Sequence, residues 1–271
     1  MPFKSFAALV MVLFSLLLTA GCAVNPVTGQ QQLMLLSEQD EFTLGNQTDQ
    51  AVTDQYGVYL DDGLQNYLQK MGRSMAGISH RPGLPWQFKV MDSPVVNAFA
   101  APGGYIYVTR GLLAAINNEA ELAGILGHEI GHVTARHSAQ RYSNMMLANI
   151  GLSLGQEFMG GYGDMLGTVL ETGAGLLFLK FSRDDEREAD ALGVEYASRS
   201  GYDAGRMADF FITLRTQPSG NGKQSARLPE FFSTHPSPAN RESNVRAMAA
   251  SWKSKLPGQN FLVNRQTYLQ E

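Results

Sequence analysis

The sequence predicts an α+β fold, mostly helical, with a small β-sheet set beside one helix. Three observations lead there. Apolar residues recur at helical spacing along several segments. One region, Trp86 to Val108, alternates and turns as a strand and a hairpin do. The chain has 271 residues, 44% of them hydrophobic, which is ample for a sizeable core. Its formal charge is −4, and no basic stretch points to nucleic acid as a partner.

The N-terminus has the features of an export signal. Lys4 precedes an almost wholly apolar run, Phe6 to Leu18, which is too short to cross a bilayer comfortably. Leu18-Thr19-Ala20-Gly21-Cys22 then resembles a bacterial lipobox, with Thr19 standing where leucine is commoner. Cleavage before Cys22 and acylation of that residue are expected. Cys22 is the only cysteine, so no internal disulfide can form. Residues 1–21 are thus read as a lipoprotein signal peptide, 22–36 as a tether and 37–271 as one domain. Ala23, where aspartate would favour inner-membrane retention, points to the periplasmic side of the outer membrane. The tether reading rests on the Asn, Pro, Thr and Gly residues between Val24 and Gln32.

The elements follow in order. Ser37 caps a helix running through Glu41 and Leu44 to about Tyr56. A second helix follows Asp61-Asp62, with Leu64, Tyr67, Leu68, Met71 and Met75 on one face. His80 to Pro85 is a loop, and Trp86 to Met91 a strand. Val95 to Ala101 and Tyr105 to Val108 form a hairpin across Pro102-Gly103-Gly104. A helix begins at Gly111. Asn117-Asn118-Glu119-Ala120-Glu121 then supplies a cap and early acids for the next one, whose Leu122, Ile125, Leu126, Ile130 and Val133 keep the helical period. Met145 to Phe181 is apolar and glycine-rich. It is read as two short helices joined at Gly160-Gly161-Tyr162-Gly163, either a lid over a cleft or a hairpin in the core. Asp203 opens a helix with Met207, Phe210, Phe211 and Leu214 inward. Pro218 to Ser225 is a polar loop. Ser237 caps the last helix, with Pro238 at its first position. There is no internal repeat.

The chemistry concentrates at Gly127-His128-Glu129-Ile130-Gly131-His132, an H-E-x-x-H pattern. On a helix, His128 and His132 share a face and can hold one metal ion, most often zinc. Glu129 projects beside that ion, where it can take a proton from water. The alternative is a core helix with two hydrogen-bonded histidines. A catalytic zinc needs a third protein ligand and one position for water. His137, Glu186, Glu188 and His235 are the candidates. His137 lies nine residues after His128, too far along a continuous helix to reach the same ion, and is read as a structural or hydrogen-bonding histidine. Glu186 is preferred. Asp190, one turn later on the same face, would accept a hydrogen bond from a ligand histidine and fix its tautomer. Glu188 lies roughly 200° around that helix and cannot ligate together with Glu186.

H-E-I-G-H followed by E-x-x-x-D within Ser182 to Asp190 resembles the gluzincin metallopeptidases related to HtpX and the CAAX prenyl protease. The soluble periplasmic, BepA-like branch is nearest. The likeness runs from about Leu36 to Met248 and is densest at 97–137, 182–193 and 234–241. It implies a zincin-like fold and one zinc on His128, His132 and Glu186, with Glu129 as general base and acid. It also implies a peptide added as a strand along Asn97, Ala98, Phe99 and Ala100. His235, in a Thr-His-Pro loop, is implied as a removable fourth ligand or a donor to the oxyanion. The chain departs from the family in lacking the membrane helices of HtpX-like members and the repeat domain of BepA. The expected function is zinc-dependent hydrolysis of misfolded or misassembled envelope proteins. A chaperone-like scaffold that binds such clients is the competing class.

Overall fold

The computed structural model describes residues 22–156, 180–216, 230–236 and 240–264. They form an α+β fold that is mostly helical, as expected. The expected signal segment, the joint at Gly160 to Gly163, the polar loop from Pro218, and Ser237 with Pro238 lie outside the described residues.

The stretch expected as a tether folds as a hairpin. β1 (Cys22–Val24) pairs antiparallel with β2 (Gln31–Leu33). Asn25 builds the turn, its side-chain oxygen accepting from the Val27 and Thr28 N–H groups at 2.8 and 3.2 Å. The turn residues that suggested a loose linker are thus the residues of a tight turn. The chain after it is docked: Leu35 N–H donates to Ser143 Oγ at 2.9 Å, and Arg136 Nη2 to the Leu36 carbonyl at 2.9 Å.

α1 (Glu38–Tyr56) begins at Ser37 with a capping box closed by Asp40, and α2 (Asp62–Ala76) begins at Asp61, which caps Leu64. β3 (Gln87–Met91), β4 (Ala98–Ala101) and β5 (Tyr105–Thr109) form a sheet in the order β3-β5-β4. β3 runs parallel to β5, and β4 antiparallel to it with Ala98 opposite Val108. Pro102-Gly103-Gly104 makes the expected turn, with Gly103 at φ 79°. β5 is buried on both faces. Ile106 and Val108 join the main core, whereas Tyr105 and Tyr107 join a second cluster with Val52 of α1.

α3 (Arg110–Ala115) leads into α4 (Glu119–Thr134), capped by Asn118 and buried at every residue. α4 stops at Thr134, one turn earlier than a helix continuous with His137 requires. Arg136 is left-handed at φ 63°, and His137 starts α5 (His137–Gln156). His137 is therefore not on the helix of His128 and His132, and a break in that helix, not distance along it, sets where its ring lies. α6 (Arg183–Arg199) has a capping box of Ser182 and Asp185. A short 3-10 turn, Ala204–Arg206, capped by Asp203, precedes α7 (Met207–Thr216). α8 (Glu230–Thr234) and α9 (Arg241–Lys255) complete the described helices. α9 starts after Asn240 at φ 60°, three residues beyond the expected cap at Ser237. An asparagine tolerates that left-handed turn better than most residues. Among the described residues, no helix is long and apolar enough to cross a membrane.

α4 and α6 lie antiparallel and very close. A Cβ on Gly127 would stand 2.8 Å from the Gly193 carbonyl oxygen, and one on Gly193 would stand 2.9 Å from the His128 nitrogen. A Cβ on Gly131 would meet the Ala189 carbonyl oxygen at 3.2 Å. The two backbones touch because neither carries a side chain at this crossing.

Candidate metal centre

That crossing determines which side chains meet. Glu186, Asp190 and Gly193 fall on one face of α6, spaced by four and three residues. Gly127, His128 and His132 face them from α4. His128 therefore meets Asp190, and His132 and His128 both meet Glu186. His235, just after α8, approaches from a third direction. Its backbone N–H is held by the Phe231 carbonyl at 2.9 Å, and its ring stacks on Phe231 with centroids 4.7 Å apart.

His128, His132, Glu186 and His235 each turn one ligand-type atom inward, and these atoms lie within 4.8 Å of one another. His128 Nε2 and His132 Nε2 are 3.0 Å apart. Glu186 Oε2 is 3.6 Å from His128 Nε2, and Glu186 Oε1 is 3.4 Å from His132 Nε2. His235 Nδ1 is 3.0 Å from Glu186 Oε1 and 3.3 Å from His128 Nε2. Four ligands at about 2.1 Å on a tetrahedral zinc stand roughly 3.4 Å apart, so the donor set has the right scale. The donor chemistry agrees. His128 Nδ1 lies 2.9 Å from Asp190 Oδ1 and must carry the proton there. Its Nε2 lone pair then faces the other inward atoms, which a cation would draw together.

Glu129 stands beside the cluster, fully buried, and neither of its carboxylate oxygens has a hydrogen-bond partner among the described residues. Among the described residues, the nearest ionisable nitrogen is His235 Nε2, 3.7 Å from Glu129 Oε1 and itself without a hydrogen bond there. Burial raises the Glu129 carboxyl above the usual carboxylate range, although His235 and His128 pull it back in part. Burial holds His132 well below the ordinary imidazole value, which keeps its ring neutral as a ligand must be. Burial alone would raise Glu186, but His235, His132 and His128 outweigh it and hold the carboxyl well below its usual range. Burial would likewise lower His235, but the facing Glu186 and Glu129 raise it. All five residues have no exposed surface. Phe181 stacks on His132 at 3.9 Å between centroids.

Arg241 carries no assignment in the sequence reading, yet it is buried beside the centre. Its Nε and Nη2 grip Asp190 at 2.8 and 2.7 Å, and Nη2 also lies 3.2 Å from Glu186 Oε2. Its guanidinium carbon sits 4.0 Å over the Phe211 ring. The only sequence signal was an arginine six residues after His235, inside a stretch of strong family likeness. His137 lies against the outer side of His132, their Nδ1 atoms 2.9 Å apart, and Glu188 Oε2 is 3.3 Å from His137 Nε2. Neither His137 nor Glu188 joins the inward cluster. Ala98, Phe99 and Ala100 lie in β4, which among the described residues is an edge strand, packed against α4. Asn97 immediately precedes it, its carbonyl accepting from Thr109 N–H at 3.1 Å. Cys22 lies in β1, away from these residues in sequence and on a separate sheet.

The family model described as Peptidase family M48 matches residues 63–249. The mitochondrial metalloendopeptidase OMA1 of Arabidopsis thaliana is 34% identical over 219 residues, 80% of this chain and 41% of that protein. The Beta-barrel assembly-enhancing protease of Escherichia coli (strain K12) is 30% identical over 196 residues, 69% of this chain and 39% of that protein. The mitochondrial metalloendopeptidase OMA1 of Bos taurus is 28% identical over 242 residues, 82% of this chain and 45% of that protein. The chain thus spans about two fifths of the length of these curated relatives.

Proposed function

The chain belongs to peptidase family M48, and from that premise we propose that it is a zinc-dependent endopeptidase of the cell envelope. The observation that carries the reading is the meeting of His128, His132 and Glu186 around one point, with the carboxylate of Glu129, partnerless among the described residues, beside it. One zinc per chain would be held by those three side chains. When bound, it would supply Lewis acidity toward a peptide carbonyl and acidify water at neutral pH. Glu129 takes the proton of the attacking water and returns it to the leaving amine. Its raised proton affinity suits both halves of that exchange. Asp190 orients His128, and Arg241 balances the charge of Asp190 and Glu186. A polypeptide substrate is proposed to pair along β4, whose outer edge is free of any partner strand among the described residues.

His235 is proposed as a removable group that closes the centre, because its Nδ1 sits where a fourth ligand would sit. His235→Ala is then expected to raise casein cleavage. A tenfold or greater fall would instead favour His235 as a donor to the oxyanion. The central test is casein digestion by the purified chain with and without a chelator. Chelation is expected to abolish digestion and added zinc to restore it. Digestion indifferent to chelation would remove the metal mechanism. Client protection without digestion would favour a chaperone-like scaffold.

The substrates are proposed to be misfolded or misassembled envelope proteins. That rests on the name of the β-barrel assembly relative and on the N-terminal sequence. Residues 1–21 are proposed as a signal peptide, Cys22 as the lipidated residue, and 37–271 as the peptidase domain. The periplasmic side of the outer membrane is the proposed location. Cys22→Ser is expected to move the protein from the membrane fraction to the soluble envelope fraction. Unchanged fractionation would reject the anchor.

A further inference from the structure

We propose that His137 is a positioning residue for His132, held in place by Glu188 and by the left-handed turn at Arg136. It would form an orienting arm on His132 that parallels the one Asp190 forms on His128. The purpose of this arm rests on the metal reading above; its content rests on side-chain geometry.

With both imidazoles neutral, the geometry leaves one assignment of protons. His132 Nδ1 and His137 Nδ1 are 2.9 Å apart between two buried rings, so one nitrogen donates and the other accepts. His137 Nε2 lies 3.3 Å from Glu188 Oε2. A carboxylate only accepts, so neutral His137 carries its proton on Nε2 and offers a lone pair at Nδ1. His132 must then donate from Nδ1. That leaves the His132 Nε2 lone pair directed at His128 Nε2 and Glu186 Oε1, 3.0 and 3.4 Å away. Reversing the chain would put a proton on Nε2, at the point where an ion belongs. The contact therefore selects the ligating tautomer of His132.

The contact requires the break in the helix. On a continuous α-helix, residues five apart sit about 140° around the axis and cannot face each other. α4 ends at Thr134, Arg136 turns left-handed at φ 63°, and His137 swings back against His132. A non-glycine residue adopts that conformation only where its surroundings demand it. Here the demand is visible. Arg136 pairs through Nε with buried Glu41 Oε1, and its Nη2 donates to the Leu36 carbonyl. Arg81 Nη1 takes the other Glu41 oxygen at 2.9 Å and also reaches the Val133 carbonyl at 3.3 Å. α1 and the loop after α2 thus fix the turn that places His137.

The test is zinc affinity, measured by competition with a chromogenic chelator on the full chain, alongside the melting temperature of metal-stripped protein. His137→Leu is expected to weaken zinc binding about 10–100-fold. His137→Asn keeps an acceptor near the Nδ1 position and is expected to recover most of that loss. Glu188→Ala, at a partly exposed site, is expected to lose a smaller part and to add nothing in the His137→Leu background. Unchanged affinity in His137→Leu, or a loss that only tracks a lowered melting temperature of the stripped protein, would overturn the inference. Should His137→Leu not fold, unchanged affinity in Glu188→Ala overturns it instead. Absence of zinc binding by the unaltered chain overturns the metal reading, and the inference with it. Binding there with unaffected variants overturns the inference alone.

Discussion

Glu129 is fully buried, yet neither of its oxygens has a hydrogen-bond partner among the described residues. A buried carboxylate in that condition costs stability, and such costs concentrate where chemistry uses them. Glu129→Gln keeps the shape and removes the proton acceptor. Casein hydrolysis is expected to fall by about 10²–10⁴-fold, with zinc content unchanged on elemental analysis. Loss of the metal in that variant would make Glu129 structural instead. Arg241 is the contrasting residue, a buried cation bound to Asp190 and close to Glu186. Arg241→Met leaves those carboxylates uncompensated and is expected to destabilise the fold by about 3–5 kcal/mol, read as a lowered urea midpoint. The H-E-x-x-H residues were legible because their spacing is itself a geometry. Arg241 was not, since a lone arginine near a helix start reads as a solvated charge until the fold buries it. The placement of His137 failed for a related reason. Thr134-Ala135-Arg136 contains no glycine or proline to announce a break, and the break depends on Glu41, far back in the chain.

At the scale of elements, the antiparallel contact of α4 and α6 is what gathers the candidate ligands. It depends on Gly127 and Gly193. Gly127→Val would drive a branched side chain into the Gly193 backbone, 2.8 Å from the first added carbon. The expected cost is about 1–3 kcal/mol in chemical denaturation, together with weaker zinc binding as Glu186 is pushed from His128 and His132. Full stability and full zinc affinity in that variant would mean that the crossing does not set the site. Several helix starts were readable because caps act locally. Ser37, Asp61 and Asn118 each bond a backbone N–H three residues on. The hairpin through Pro102-Gly103-Gly104 was readable for the same reason. The start of α9 was not, because Asn240 turns left-handed without a side-chain cap. The parallel pairing of β3 with β5 was also hidden, since alternation along a strand names its faces and not its neighbours.

At the scale of the whole molecule, the two sides of the central sheet differ in what they bury. The β5 tyrosines face the α1 side, where Tyr107 donates to Asp49 Oδ1 at 3.0 Å. Burial, with Asp49 nearby, raises the Tyr107 hydroxyl far above its usual value. Burial also pushes Tyr196 up to about 12. An unfolded tyrosine ionises near pH 10, so the unfolded chain releases these protons first as pH rises. Stability from these groups is therefore intact below about pH 10 and falls through the interval up to about 12, where Tyr196 ionises in the fold as well. For fully buried Tyr196 the slope approaches about 1.4 kcal/mol per pH unit, and Tyr196→Phe is expected to flatten the alkaline limb of urea midpoints by up to that amount. An identical limb in that variant would reject the assignment. Metal removal acts more broadly. Zinc bound to the folded chain alone at 100 times its dissociation constant adds about 2.7 kcal/mol, so stripping it is expected to lower the melting temperature measured by calorimetry. A melting point unmoved by chelation would contradict a resident ion.

The proposed ligands come from helices that stand fifty-four residues apart, His132 to Glu186, and nothing in either helix alone can complete the set. A chain emerging end-first presents its two imidazoles well before their acidic companion. During synthesis it would therefore carry a blunt instrument past every neighbour it meets. On the proposed reading, hydrolytic power would arrive only once the polypeptide has closed on itself, so successful folding would act as the safety catch.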